Sequence, residues 1–253
     1  HGEAFGWMVA ERYEMTSQGE AAERLCDQWE LGREDLDAFA AESHRRACAA
    51  ASAGHFEKEI VPVPVMQVRE KGAEREAHLF SADETIRPGT AVEKLATLKT
   101  SFRADGRLTA GNSSQISDGA AGLLLMSSVK ARSLGLKPRA RILAMTTVGS
   151  DPTLMLTGPV AATRKVLAQA GLTLDDIDLF EINEAFAVVT MAAMREHGIA
   201  HDKVNVNGGA CALGHPIGAS GARILVTLIY ALQARGLKKG LATLCIEIGR
   251  AHV

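Results

Sequence analysis

The stretch VNVNGGACALGHPIGASGARI, from Val204 to Ile224, decides how this chain is interpreted. It is rich in glycine and alanine, and its one histidine, His215, stands between Gly214 and Pro216. The glycines that follow keep side-chain bulk away from the imidazole. A histidine on so bare a backbone indicates a narrow passage for a long ligand, lined by backbone and small side chains.

Three familiar glycine-loop sites do not fit this stretch. A phosphate-binding P-loop needs Gly-Lys-Ser/Thr, and the lysines between Val204 and Gly240 are Lys238 and Lys239, far from the glycines. Gly218 and Gly221 lack the earlier glycine of a dinucleotide fingerprint. A metal ion would need further histidine or carboxylate ligands in the loop, and the sequence offers none there. We therefore predict no metal site.

Strand and helix patterns alternate around the quoted stretch. Strands are predicted for residues 141–148, 176–182, 203–207 and 241–246, and helices for 19–53, 117–135, 157–172, 184–197 and 220–234. Such alternation is typical of a layered α/β fold. The last helix carries apolar residues on nearly every side, so we expect it to be buried between layers.

Composition limits the class of protein. The chain has 253 residues, 47% of them hydrophobic, and a formal charge of −2, which indicates a globular protein without the basic surface of a nucleic-acid binder. Its four cysteines are far apart and form no Cys-x-x-Cys pair, which favours a reduced, cytoplasmic setting. The longest apolar run, Ile224 to Leu232, is too short to cross a bilayer.

Three polar side chains follow predicted strands. Asn183 follows residues 176–182, His215 lies beyond residues 203–207, and Cys245 stands near the end of the last strand. Ligands of layered α/β folds bind beyond the carboxyl ends of strands. Each residue also has a structural interpretation: Asn183 as a helix N-cap, Cys245 as an inert core residue, and His215 as a structural histidine.

Four motifs resemble the thiolase family, the acetyl-CoA acyltransferases that make or cleave 3-ketoacyl-CoA. NVNGGACALGHPIGASGAR resembles the family's histidine signature, EINEAFA its Asn-Glu-Ala-Phe motif, TAGNSSQISDGAA its pantetheine-contacting loop, and GLATLC the run into its second cysteine. The similarity extends from Phe5 to Ile246. It implies part of a layered αβαβα fold: a partial loop domain at 1–104, the end of the N-terminal core domain at 105–136, and the C-terminal domain at 137–246.

The resemblance implies a two-stage acyl transfer with CoA and acyl-CoA as substrates and no tightly bound cofactor. A nucleophilic cysteine takes the acyl group as a thioester and yields it to CoA, or to an acetyl-CoA carbanion in the condensing direction. By carry-over, His215 activates that cysteine and helps to hold the thioester oxygen. Asn183 positions a water in the same oxyanion hole, and Cys245 moves the proton on the α-carbon of the substrate.

The same comparison implies a CoA-binding tunnel. Ser113 and Ser114 contact the pantetheine arm, Arg87 lies near the nucleotide end, and the tunnel is lined by Met15, Phe102, Ala110, Met155, Ala185 and Phe186. Glu14 stands where short-chain biosynthetic members often carry histidine, which favours a degradative enzyme of fatty acid β-oxidation. The intact enzyme is expected to be a homodimer or homotetramer.

The chain departs from the family in two places. The family's nucleophile lies in a Cys-x-Ser-Gly stretch, which this sequence lacks, so we expect a fragment that is inactive alone. The family continues after its second cysteine into a glycine triplet, whereas this chain reads EIGRAHV, Glu247 to Val253. Reverse translation of that tail matches a common sequencing adapter, and we interpret it as adapter read-through.

Two other functions stay open. Condensing enzymes of the ketoacyl-synthase type share the superfold, but they use paired histidines where this chain offers His215 and Cys245. A non-catalytic protein that binds CoA or an acyl carrier would keep the tunnel and lack the nucleophile. A Cys-x-Ser-Gly stretch encoded upstream in the gene would indicate an enzyme, and its absence from the complete gene would favour such a binding protein.

Overall fold

The computed structural model describes residues 6–67, 76–246 and 251–252. The helices are α1 Trp7–Arg12, α2 Gln18–Gln28, α3 Arg33–Ser52, α4 Val92–Ala96, α5 Ser128–Ser133, α6 Gly158–Ala170, α7 Ala187–His197, α8 Ala210–Leu213 and α9 Ile217–Arg235. The strands are β1 Val63–Gln67, β2 Glu76–Phe80, β3 Met145–Thr146, β4 Leu179–Ile182, β5 Gly240–Thr243 and β6 Ala251–His252.

The strands form a hairpin and a mixed sheet. β1 and β2 pair antiparallel, while the sheet has the order β3-β6-β5-β4. β4 and β5 run parallel, with Ile182 opposite Thr243, and β6 runs antiparallel to both β5 and β3. β6 belongs to the tail that we interpreted as adapter read-through, whose residues 247–250 and 253 lie outside the described residues.

The central strands β4 and β5 are buried on both faces. Phe180 and Ile182 of β4 pack with Val166 and Leu167 of α6 in one cluster, whereas Leu179 faces the opposite cluster, which contains Ile224 of α9. Successive side chains of a strand point to opposite faces, so β4 contacts a helix layer on each side. This arrangement confirms the predicted layered α/β fold.

Helices α2 and α3 add a further layer outside α7. Leu25 of α2, together with Leu36 and Phe39 of α3, is buried in one cluster with Val188 and Val189 of α7. The sequence predicted continuous helical character over 19–53, and the structure divides that segment into α2 and α3. The apolar packing fixes both helices against the part of the chain that carries the candidate site.

The predicted helix over 117–135 is largely wrong. Within it, α5 is formed by Ser128–Ser133, and the preceding residues are not helical. Leu124 and Leu125 are 80% and 66% exposed. Most of the stability of a helix comes from packing an apolar face against the rest of the fold. These leucines make no such packing, so local propensity alone does not hold the helix.

Of two further predicted strands, one is shorter than expected and the other does not form. Of residues 141–148 the strand β3 contains Met145–Thr146. Lys203 ends the 3₁₀ helix His201–Lys203, and residues 204–207 form a turn with a single parallel bridge between Val204 and Phe180, where Asn205 takes a positive φ of 47°. A left-handed residue cannot continue a strand. The alternation of apolar and polar residues at 203–207 therefore did not specify a strand.

Helix α9 is buried along one face. Ile224, Leu228 and Ala231 are buried against the sheet, while Leu225 and Val226 are half-buried, so the helix is not enclosed between two layers as expected. The helix has 19 residues, and an 18-residue window of it has a mean hydropathy of 1.4, so by length and composition it would suffice to cross a membrane. The expectation that the apolar run is too short to cross a bilayer holds for residues 224–232 alone and not for the whole helix, and core helices of soluble proteins meet the same criterion.

Candidate active site

The ends of β4 and β5 bring Asn183 and Cys245 to one edge of the sheet. Asn183 directly follows β4, and its backbone N–H donates to Thr243 O at 3.0 Å. Cys245 lies two residues beyond Thr243, the last residue of β5. A Cβ added to Gly158 would lie 2.9 Å from Cys245 O, so only glycine lets the start of α6 approach so closely.

His215 reaches the same edge from the other side. It lies in the turn between α8 and α9, where its backbone N–H donates to Gln115 O at 3.0 Å. Its Nε2 is 3.3 Å from Nδ2 of Asn183. The structure therefore brings together two predicted site residues that are 32 positions apart.

Ser220 holds the other nitrogen of the His215 ring. Its Oγ lies 2.6 Å from His215 Nδ1 and donates to Pro216 O at 3.0 Å. A hydroxyl has one hydrogen, and when Pro216 receives it, Ser220 can only accept from the imidazole. We assign the histidine proton to Nδ1 on this basis. Nε2 then carries the lone pair that accepts from Asn183 and could accept a proton from a thiol.

Asn183 is not a helix cap. The residue that caps α7 is Phe186, which makes no side-chain capping hydrogen bond. The Asn183 side chain is 2% exposed, and its Oδ1 is buried without a hydrogen-bond partner among the described residues. The capping interpretation of Asn183 is therefore wrong. A buried amide oxygen with spare capacity can accept a hydrogen bond from water or a ligand.

The loop that resembles the pantetheine-contacting segment lies against the residues after Asn183. Ser113 forms an antiparallel bridge with Phe186, and the Ser114 N–H donates to Ala185 O at 3.0 Å. The Ala187 N–H donates to the Asn112 carbonyl, also at 3.0 Å. Four of the predicted CoA-contacting residues therefore lie in one short sheet-like contact: Ser113, Ser114, Ala185 and Phe186.

The remaining predicted contact residues are more scattered. The rings of Phe102 and Phe186 pack edge to face with centroids 5.9 Å apart, and Ala110 is exposed. Met15 and Met155 are half-buried, and their segments meet where Thr16 Oγ1 donates to Thr153 O at 3.0 Å.

Arg87 lies beyond the pantetheine-like loop. It is exposed and donates from Nη2 to Gln115 Oε1 at 3.1 Å. An open groove of about 470 Å³ between α3 and the end of α7 contains none of the predicted site residues.

Burial raises the pKa of one carboxyl group close to this edge and of two cysteine thiols in the core. Glu181, two residues before Asn183, is 1% exposed, and burial raises its pKa to about 8, although Arg223 Nη1, 3.4 Å away, opposes the shift. Burial also raises the pKa of Cys26 to about 12 and that of Cys211 well above its usual value. These two thiols are therefore poor nucleophiles. Within the described residues, no group of His, Cys, Asp and Glu side chains could hold a metal ion.

Sequence reasoning missed two residues of the site. Ser220 stands five positions after His215 in the first turn of α9, a spacing that could have suggested the contact with the imidazole. Gln115 accepts the His215 N–H and donates from Nε2 to Cys211 O at 3.2 Å and Thr85 O at 2.9 Å. No local pattern marks Gln115, because these partners lie in two segments that are distant from it in sequence, residues 85–87 and 211–215.

Comparison with known proteins places this geometry in a family. The model of the thiolase N-terminal domain matches residues 3–129, and that of the thiolase C-terminal domain matches residues 136–253. The chain is 51% identical over 241 residues to an acetyl-CoA acetyltransferase of Chromobacterium violaceum, covering 95% of this chain and 60% of that protein. It is 49% identical over 238 residues to a 3-ketoacyl-CoA thiolase of Cronobacter sakazakii, covering 92% and 60%.

Solved structures of two proteins from this family superimpose on the chain. The acetyl-CoA acetyltransferase of Bacillus anthracis superimposes with a TM-score of 0.88 at 44% identity, covering 100% of this chain and 63% of that one. Human mitochondrial 3-ketoacyl-CoA thiolase in complex with CoA gives 0.82 at 37% identity, covering 93% and 57%. This chain thus spans about 60% of the length of the curated relatives that it matches. Both of its halves match, and the chain belongs to the thiolase family.

Proposed function

We propose that this chain forms the part of a thiolase-type acyltransferase that carries the catalytic base, the oxyanion-site amide and the second cysteine. The proposal depends chiefly on one observation: His215 Nε2 lies 3.3 Å from Asn183 Nδ2 at the sheet edge where Cys245 follows β5. It concerns the full-length polypeptide, since the chain spans about 60% of the relatives' length.

In the cleavage direction, the thiol of a nucleophilic cysteine adds to the keto carbon of 3-ketoacyl-CoA while His215 Nε2 takes the thiol proton. Collapse of the adduct breaks the carbon–carbon bond and leaves a thioester on the protein. The acetyl-CoA carbanion that departs takes a proton from Cys245. The proton that His215 took then replaces the one that Cys245 lost, so both groups return to their starting states. CoA attacks the thioester while His215 takes its thiol proton, and the shortened acyl-CoA is released as His215 passes that proton to the departing nucleophilic sulfur. Because this chain has no Cys-x-Ser-Gly stretch, the proposal assigns the nucleophile to the part of the full-length polypeptide that the chain does not span.

Asn183 stabilises the negative charge that develops on the substrate oxygen. Its Nδ2 contacts His215, and its buried Oδ1 has capacity to accept from a water molecule. Such a water, held by the amide, donates its other hydrogen to the oxyanion. A positioned donor of this kind typically contributes about 10²–10³ in rate.

The proposal is tested with the full-length polypeptide, acetoacetyl-CoA, a longer 3-ketoacyl-CoA, and CoA. We expect acetyl-CoA to form from both ketoacyl-CoA substrates, and radiolabelled acetyl-CoA to label the protein through a thioester. CoA binding without turnover or labelling would contradict the proposal and favour the non-catalytic CoA-binding or acyl-carrier-binding role.

The finer assignments are proposals of the same kind. We infer a degradative enzyme of fatty acid β-oxidation that uses CoA and acyl-CoA as substrates, without a tightly bound cofactor, and works in the cytoplasm as a homodimer or homotetramer. The four cysteines, which are far apart in the sequence and form no Cys-x-x-Cys pair, suit a reducing compartment, and the formal charge of −2 suits a protein without a nucleic-acid partner. Light scattering of the full-length protein measures its oligomeric state.

Ser220→Ala tests the assignment of the His215 tautomer. Without the Ser220 hydroxyl, Nδ1 loses its acceptor, and we expect the acylation rate to fall about 2- to 10-fold, as for the loss of one hydrogen bond. The measurement is single-turnover labelling by acetyl-CoA. Ser133→Ala, which removes an exposed hydroxyl that donates to Lys130 O, is the matched control. An unchanged acylation rate in Ser220→Ala would refute the tautomer assignment.

Asp37→Asn tests the proposed CoA-binding loop. The carboxylate is 1% exposed and accepts from Asn112 Nδ2 at 2.8 Å and Arg33 Nε at 2.7 Å. In asparagine an NH₂ group replaces one of the two accepting oxygens, so Asn112 or Arg33 loses its acceptor at position 37. We expect this loss to loosen the segment before Ser113. We expect KM for CoA to rise about 10-fold, in line with the loss of a charge-assisted hydrogen bond.

The maximal rate should change less than KM, because Asn112 does not contact His215. Glu34→Gln, an exposed change on the same helix, is the control and should leave KM unchanged. A normal KM in a folded Asp37→Asn protein would show that this loop does not depend on Asp37.

A further inference from the structure

Glu184 is a buried carboxylate with three neutral hydrogen-bond donors around it. It is 1% exposed and accepts from Ser43 Oγ at 2.7 Å, Asn205 Nδ2 at 2.8 Å and the Cys211 N–H at 3.0 Å. Burying a carboxylate is costly unless it is hydrogen-bonded, and hydrogen bonds to a charged acceptor are strong. The three donors come from α3, from the turn that follows Val204, and from α8.

These contacts join the segment that carries Asn183 to the segment that carries His215, the two loops of the candidate site. Glu184 directly follows Asn183, whereas Cys211 lies four residues before His215. Two backbone hydrogen bonds hold the segment between Cys211 and His215. The Leu213 N–H donates to Gly209 O at 2.8 Å, and the Gly214 N–H donates to Ala210 O at 3.0 Å. Fixing Cys211 therefore fixes the start of the short segment that ends at His215.

We propose that Glu184 is a positioning residue that sets the contact between Asn183 and His215, and that this task requires a carboxylate rather than an amide. The expected effect of this positioning on the reaction rate rests on the proposed function. The positioning itself is a property of the fold and can be measured without turnover.

The donors around Glu184 cannot reverse their roles. Asn205 is locked by two bonds to Ile182: its Oδ1 accepts from the backbone N–H at 2.9 Å, and its Nδ2 donates to the carbonyl at 2.8 Å. The Ser43 oxygen accepts from the Gly209 N–H at 2.9 Å, so its hydrogen points to Glu184. Glutamine in either orientation would place its NH₂ group against one of these donors or the Cys211 N–H.

The surroundings also leave no space for the side chain to move. A Cβ added to Gly209 would lie 2.1 Å from the carboxyl carbon of Glu184. Backbone and carboxylate are thus in direct contact, which explains why glycine stands at this position of the quoted stretch. A displaced side chain at position 184, whether glutamate or a substituted glutamine, must move the Gly209–Cys211 backbone, and with it the segment that leads to His215.

The test compares Glu184→Gln with Glu23→Gln in the full-length polypeptide. Glu23 is a matched control, since it is 0% exposed and accepts from Arg107 N–H at 2.9 Å and Leu108 N–H at 2.9 Å, yet contacts neither site loop. We measure the ring ¹⁵N resonances of His215, assigned by comparison with His215→Ala, the acetyl-CoA labelling rate, and KM for CoA.

In Glu184→Gln the His215 resonances should move, and the labelling rate should fall about 10- to 100-fold, as when a catalytic group is displaced by a fraction of an ångström. KM for CoA should stay within about 2-fold, since binding through the Ser113–Ser114 loop is retained. Glu23→Gln should leave the His215 resonances and labelling rate unchanged.

The two proposals fail in different ways. A folded Glu184→Gln protein with unchanged His215 resonances would overturn the positioning role, whatever its activity. Shifted resonances in a protein whose unmodified form never becomes labelled would leave the positioning role intact and refute the acyl transfer. If Glu184→Gln does not fold, Glu184→Asp keeps the charge but cannot reach all three donors, and an unmoved His215 signal there would also overturn the proposal.

Discussion

Replacing His215 by alanine is expected to abolish the transfer of an acetyl group onto the full-length polypeptide. The imidazole is the base that removes the proton from the nucleophilic thiol, and its Nε2 already contacts Asn183 at 3.3 Å. A thiol with an ordinary pKa of about 8.5 is mostly protonated at neutral pH. Loss of a general base costs about 10²–10⁴ in rate, so labelling by radiolabelled acetyl-CoA should fall below detection.

His55→Ala is the control for this experiment, because His55 is exposed. It should label at the normal rate. Circular dichroism and CoA binding must show that His215→Ala is folded. Rapid labelling of the folded variant would refute the assignment of His215 as the base and would transfer that role to another group.

Replacing Cys245 by alanine should separate the two halves of the reaction. Acylation by acetyl-CoA requires no proton transfer at carbon, so labelling of the protein and exchange with free CoA should remain near normal. Cleavage of acetoacetyl-CoA and condensation of acetyl-CoA both move a proton at the α-carbon. These reactions should fall about 10²–10⁴-fold, the usual contribution of a positioned acid or base.

Quenched-flow measurement of labelling and of acetoacetyl-CoA cleavage, on the same preparation, gives both rates. Cys48→Ala, on α3, is the matched control and should leave both rates unchanged. Normal cleavage by Cys245→Ala would show instead that Cys245 is an inert core residue, half-buried against the apolar cluster of α2, α3 and α7.

The elements that could be predicted from sequence are those with both a periodic pattern and local stop signals. Helix α6 begins at Gly158 with proline in its first turn and ends at Ala170, where Gly171 is the C-cap with a positive φ of 66°. Both signals are local, and the predicted and observed ranges agree. Residues 117–127 carry a similar apolar content, but Leu124 and Leu125 have no surface to bury against, so the helix does not form there.

The candidate site was predictable as a set of residues, not as a set of contacts. Asn183 could equally have capped a helix, and the choice depended on where α7 begins and where His215 lies. The contacts of Glu184 could not be predicted from the sequence, because its partners Ser43, Asn205 and Cys211 are 141, 21 and 27 positions away. A local pattern carries no information on such partners.

The sequence by itself determined the family and the residue types that its chemistry needs, because ordered motifs around Asn183, His215 and Cys245 are long enough to be recognised without coordinates. The tertiary structure alone decided how these residues meet. Parallel pairing of β4 with β5 brings two strand ends together, and the buried carboxylate of Glu184 ties the histidine segment to one of them. The physical reason is that hydrogen bonds and packing act between neighbours in space, whereas the periodicity of a sequence reports neighbours along the chain.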